Sequence, residues 1–109
     1  MLRVLVGGFS EVARRGIGAI LSSPDLVINE CAIESVMSVV AETQPDVVVM
    51  DVGAQDIGRA ARVAAAYPAL TVVACSANEN TMRIFPRLGG GRCMSRPLSA
   101  GALQESMRS

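Results

Sequence analysis

One carboxylate stands where chemistry could be done. The run Val47-Val48-Val49-Met50 is continuously apolar and ends in Asp51, and an acid at the end of a buried strand is placed for phosphoryl or metal chemistry. The rest of the composition narrows that. All ten bases are arginines, with no lysine and no histidine. This removes Lys-based Schiff-base and phosphate-binding mechanisms, the usual general base and the commonest transition-metal ligand. Neither a Ser-His nor a Cys-His pair can form, so ordinary hydrolase chemistry is not expected and the chain reads as a non-enzyme. Gly7-Gly8 ahead of a helical stretch mimics a phosphate-cradling loop, but the full Gly-x-Gly-x-x-Gly spacing is missing. Cys31, Cys75 and Cys93 are far apart without metal-type spacing, which predicts reduced, buried thiols, no disulfide and no zinc.

The elements that must position Asp51 follow from hydrophobic period. At 109 residues the chain fits one domain spanning 1–109. Leu2 to Val6, Leu26 to Cys31, Asp46 to Asp51, Leu70 to Cys75 and Arg92 to Ser95 read as strands, the third and fourth apolar enough to be covered on both faces. Val12/Ala13, Ile17 and Ile20/Leu21 repeat at helical spacing, as do Val36, Val39/Val40 and Thr43, and Ile57, Ala60/Ala61 and Ala64/Ala65. Asp56, Asn78 and Ser99 are candidate N-caps for the third, fourth and fifth helices. The fourth helix, Asn80 to Leu88, is the weak element, because Pro86 removes a backbone donor and costs about 3 kcal/mol inside a helix. The alternation predicts a flavodoxin-like (βα)5 doubly wound parallel sheet of strand order 2-1-3-4-5.

In such sheets ligands sit outside the carboxyl ends of the strands. Gly7-Gly8-Phe9, Asp51, Ser76 and Arg96-Pro97 fall there. From Arg3 to Leu103 the chain resembles the receiver domain of bacterial two-component response regulators, particularly those fused to helix-turn-helix DNA-binding domains. The resemblance is carried by Arg3-Val4-Leu5-Val6, Arg14-Arg15-Gly16, Ala19-Ile20-Leu21, Gln44 to Asp51, Tyr67-Pro68, Arg87-Leu88-Gly89-Gly90 and Ser95-Arg96-Pro97-Leu98-Ser99. It implies that Asp51 stands at the phosphoacceptor position and Ser76 at the switch hydroxyl. Arg96 stands where the family has a lysine, and Cys93 where it has an aromatic switch residue. The two adjacent acids that hold Mg²⁺ in the family are replaced by Gly8 and Phe9, neither of which carries a side-chain oxygen.

A metal held by one carboxylate would be weak, and phosphoryl transfer needs the metal. The expected function is therefore that of a degenerate receiver: a phosphorylation-independent regulatory module without metal or cofactor, acting through a protein partner or a homodimer. DNA would be reached only through an output domain outside this chain. A conventional receiver phosphorylated on Asp51 is the alternative, and a small nucleotide or anion binder the third reading. Asp51 also has a structural reading, pairing with Arg96 or capping the loop after its strand. The resemblance implies pairing through the face of helix four, strand five and helix five, and the apolar surplus there predicts a dimer surface of Met82, Phe85, Leu103 and Met107 rimmed by Arg83 and Arg87. Balanced charge predicts no overall field toward nucleic acid or anionic membrane. The absence of a long apolar run and of a signal-peptide pattern predicts a soluble, cytoplasmic protein without membrane contact.

Overall fold

The computed structural model describes residues 2–9, 11–20, 26–51, 57–76, 81–86 and 94–97; at Leu2, 11–14, Ile20, Ile57 and Ser76 the description is of the backbone alone. It is a mixed α/β fold. The elements run β1 (Leu2–Gly7), α1 (Glu11–Ile20), β2 (Leu26–Cys31), a 3-10 turn (Ile33–Ser35), α2 (Val36–Thr43), β3 (Val47–Asp51), α3 (Ile57–Ala66), β4 (Thr71–Ser76), β5 (Thr81–Phe85) and β6 (Met94–Pro97). One six-stranded sheet has the order β2-β1-β3-β4-β5-β6. The first four strands are parallel. β5 is antiparallel to β4, and β6 antiparallel to β5.

Helices cover both sides of the sheet, and the strands from β1 to β5 divide their side chains between two cores, while the four residues of β6 are exposed. Val4, Val6, Val47, Val49, Val73, Cys75, Met82 and Ile84 pack with Ile17 of α1. Leu5, Val48, Met50, Val72, Ala74 and Phe85 pack with Val36 and Val40 of α2 and with Ala60 and Val63 of α3. The residues of β3 from Val47 to Met50 are buried throughout, as a continuous Val-rich run between two helical layers requires. The expected stripe of α2 holds in Val36 and Val40, Ile17 is the described part of the α1 stripe and is buried, and the α3 stripe is shifted. Ala61 and Ala65 of α3 are exposed, and the buried line is Ala60 and Val63, flanked by Ala64 and Tyr67.

α2 ends at Gln44, whose φ of 48° is left-handed and whose N–H donates to the Val40 carbonyl at 2.9 Å. The chain then enters β3 through Asp46, which ties β1 and β3 together at their amino ends. The Arg3 N–H donates to Asp46 Oδ2 at 2.9 Å, and the Asp46 N–H donates to the Arg3 carbonyl at 2.8 Å.

The expected helix over Asn80 to Leu88 is overturned. Thr81–Phe85 is a strand, with Met82 and Ile84 in one core and Phe85 in the other. Two physical reasons favour it. Thr, Ile and Phe suit a pleated surface, and Pro86 at the strand's end need donate nothing, whereas inside a helix it would leave a carbonyl unpaired. Only positions 77–80 separate β4 from β5, enough for a hairpin but far short of the dozen or so residues of a parallel crossover. The expected fifth strand is therefore displaced from β4, lies at Met94–Pro97, and among the described residues pairs with β5. The proposed fifth helix and the caps Asp56, Asn78 and Ser99 lie outside the described residues. Cys31 and Cys75 are free thiols, and Cys93 lies outside the described residues. No helix among the described residues is long and apolar enough to cross a membrane.

Candidate functional site

The carboxyl ends of β1, β3 and β4 converge as parallel strands in register must. Gly7 stands opposite Met50 and Asp51 opposite Cys75. The glycines shape this end. A Cβ on Gly7 would lie 2.6 Å from Val36 Cγ2, so the missing side chain is what lets α2 settle on the sheet. Gly8 has a φ of +82°, and a Cβ there would lie 3.0 Å from Ile33 Cδ1 and 3.3 Å from the Asp51 carbonyl oxygen. Its N–H donates to the Cys31 carbonyl at 3.3 Å. Position 8 therefore lacks more than an oxygen ligand. Its backbone is left-handed and Ile33 fills the space beside it, so an L-residue with an acidic side chain would be strained there. Phe9 packs, partly buried, against the core that holds Cys75 and Met82.

Asp51 is half-buried, and burial pushes its carboxyl above the usual carboxylate range. Its neighbour in the sheet is Cys75, 2% exposed. Burial first, and then the Asp51 charge, push that thiol up to about 12. The pair thus presents one carboxylate that is costly to ionise and one thiol that stays protonated and unreactive. Cys31 is half-buried, and burial raises its thiol too. No group of three or more His, Cys, Asp or Glu side chains among the described residues could hold a metal ion.

The other predicted site residues scatter. Ser76 ends β4 opposite Thr81 and leads into the hairpin. Arg96 is exposed in β6 and stands in the same cross-sheet row as Asp51, but Cys75 and Met82 come between them. Three strand spacings put the two backbones about 14 Å apart, so the expected Asp51–Arg96 pair does not form. The expected dimer patch also fails in its described part. Met82 is 0% and Phe85 4% exposed, on opposite faces of β5. Arg83 between them is exposed. Cys93, Leu103, Met107 and Arg87 lie outside the described residues. Sequence reasoning missed Cys75 as the neighbour of Asp51, since strand register is set by tertiary pairing. The signal available was that Asp51 and Cys75 each come at the end of a Val-rich apolar run of similar length.

Searches of protein-family models, curated proteins and solved structures return no significant match to the chain.

Proposed function

We propose that this chain is a receiver-like regulatory domain that works through protein contact and not through phosphate. The backbone at Gly8 carries the reading. A receiver that loads Mg²⁺ needs acids beside the acceptor, and here the nearest position is left-handed and packed against Ile33 and the Asp51 carbonyl. Three further features support it. Burial raises the Asp51 carboxyl instead of a cation lowering it, Arg96 stands three strands away, and the neighbouring thiol is protonated. The parallel order β2-β1-β3-β4 with helices on both faces is consistent with a flavodoxin-like scaffold, to which the β5–β6 hairpin is a departure. Regulation in this reading resides in surfaces, with transcriptional control as the output if a DNA-binding domain adjoins.

The test is a Mg²⁺ titration followed by NMR, with and without beryllofluoride. The expected result is no saturable shift at Gly8, Asp51 or Cys75 in the low-millimolar range. Saturable Mg²⁺ binding with a stable beryllofluoride adduct would establish Asp51 as a working phosphoacceptor. A melting shift with nucleotide would instead favour a nucleotide or anion binder.

A further inference from the structure

The two edges of the sheet are not alike. Among the described residues β2 closes one end and β6 the other. β6 has four residues, carries Arg96 and ends in Pro97, all features that blunt an edge strand against pairing. β2 has six residues, Leu26-Val27-Ile28-Asn29-Glu30-Cys31, and among them no proline, lysine or arginine. Its side chains are only partly covered. Val27 is 36% exposed, and Asn29 and Glu30 are exposed beyond it. A full-length edge without blunting devices is a template for another strand.

Hydrogen-bond parity fixes which backbone groups that edge offers. The Gly8 N–H donates to the Cys31 carbonyl, so Cys31 turns its backbone toward β1, and Asn29 and Val27, alternating with it along a parallel strand, do the same. Leu26, Ile28 and Glu30 then turn their N–H and C=O groups outward. Antiparallel pairing joins such residues in pairs that exchange two bonds each. Centred on Ile28, it sets Ile28 opposite Ile28 of a second copy and Leu26 opposite Glu30 of that copy, reciprocally. Val27 then faces Asn29 in the closer, non-hydrogen-bonded pair. The outward residues of both chains are satisfied at once, no like charges stand opposite each other, and a β-branched pair meets at the centre. Glu30 is already engaged within its own chain, and the pairing calls on its backbone, opposite the uncharged Leu26.

The helical layers leave room for this. Val36 of α2 stands against Gly7, so α2 sits over β1, and the β1 strands of two copies so joined are three strand spacings apart, about 14 Å. Packed helices need roughly 8–10 Å. On the other face Ile17 of α1 belongs to a core built on β1, β3, β4 and β5, inward of the edge.

We infer that two copies of this chain pair antiparallel through β2, about a two-fold axis at Ile28, into one continuous sheet. The contact is isologous, and it does not depend on the receiver reading. A second copy is favoured over a foreign strand because the β2 edge is complementary to itself. Pairing stops at two, since the edges left over are the blunted β6 strands. One strand pair is a small contact beside the roughly 1,200 Å² or more of a stable complex, so the dimer is weak.

The experiment is sedimentation equilibrium of the full chain together with amide hydrogen exchange by NMR, each from about 20 µM to about 500 µM, where a contact of this size shows itself. A monomer–dimer equilibrium is expected. With rising concentration the Leu26 and Ile28 amides should slow about tenfold or more, while those of Val27 and Asn29, bonded to β1, stay slow throughout. Two variants at exposed positions sharpen the test. Val27→Lys/Asn29→Lys sets lysine opposite lysine across the contact, and Val27→Glu/Asn29→Glu sets glutamate opposite glutamate. Each alone should be monomeric, and an equimolar mixture should associate again. A wild type that stays monomeric at about 500 µM would overturn the inference, as would a dimer that leaves the Leu26 and Ile28 amides fast or variants that fail to complement. Leu26 and Ile28 amides already slow in the monomer would overturn it too, since the edge would then be covered within the chain. A monomeric wild type whose edge amides slow only when an extended valine-rich peptide is added would assign the edge to a foreign strand instead.

Discussion

Asp51 and Arg96 stand in one row across the sheet, with Cys75 and Met82 between them. In a sheet of order 2-1-3-4-5 one strand fewer would separate the two, and it is the Thr81–Phe85 strand that moves the arginine away. Asp51 is left with a buried thiol for a neighbour and with the cost of its own desolvation.

Replacing Asp51 tests that cost. A carboxyl whose folded pKa is raised contributes stability that is full below its ordinary value of 3.8 and is lost as pH rises through the folded value. Asp51→Asn should therefore gain on wild type as pH goes from 3 to 6 and be neutral or slightly stabilising at pH 7, within about 1 kcal/mol. Urea denaturation at several pH values checks this. Loss of stability in the variant at neutral pH would mean that the carboxylate is held by favourable partners.

Cys75 should respond at the other end of the scale. Its thiol moves from the ordinary 9.0 to about 12, so its contribution is full below pH 9 and is lost as pH rises toward 12. The stability difference between wild type and Cys75→Ala should narrow over that window. In a Cys93→Ser background at pH 8, alkylation followed by mass spectrometry should modify Cys31 well before Cys75.

Gly7 and Val36 should couple. Gly7→Ala puts a methyl into Val36 Cγ2 and should cost about 1–3 kcal/mol as overpacking. Combined with Val36→Ala, which vacates that space, the penalty should fall below the sum of the single effects, as contacting residues show in double-mutant cycles. Additive effects would mean that α2 shifts to relieve the contact.

Phe85→Glu separates strand from surface helix. In an exposed dimer patch it would alter association and leave the fold intact. With Phe85 buried in the core beneath α2 and α3, it should unfold the domain, and the milder Phe85→Ala should cost about 3–5 kcal/mol. Circular dichroism with denaturant titration distinguishes the two outcomes.

Asp46→Ala removes the acceptor for the Arg3 N–H at the entry to β1 and β3. A loss of about 0.5–1.5 kcal/mol is expected. Asp46→Asn, which keeps a side-chain oxygen, should lose less.

Much of the fold was legible because it rests on local pattern. Continuous valine runs marked β3 and β4, Leu26–Cys31 was bounded correctly as β2, and the helical spacing of Val36 and Val40 named the residues that α2 buries. Asp51 at a strand end was legible for the same reason, since a strand's last residue follows from where its apolar run stops. What local pattern could not settle was Thr81–Phe85. Five residues fit either one turn and a half of helix or a strand, and the choice fell to the two neighbours, β4 and β6, that could satisfy its backbone hydrogen bonds. Through that strand the tertiary structure decided how far Arg96 stands from Asp51 and that Met82 and Phe85 face inward, while the register of β3 on β4 decided which thiol lies beside the carboxylate. The sequence by itself determined the balance of ten acids and ten arginines and the absence of acids at positions 8 and 9. Only the tertiary structure set Cys75 beside Asp51, and only the left-handed backbone at Gly8 closed the space beside that carboxylate, because pairing and backbone conformation depend on partners distant along the chain.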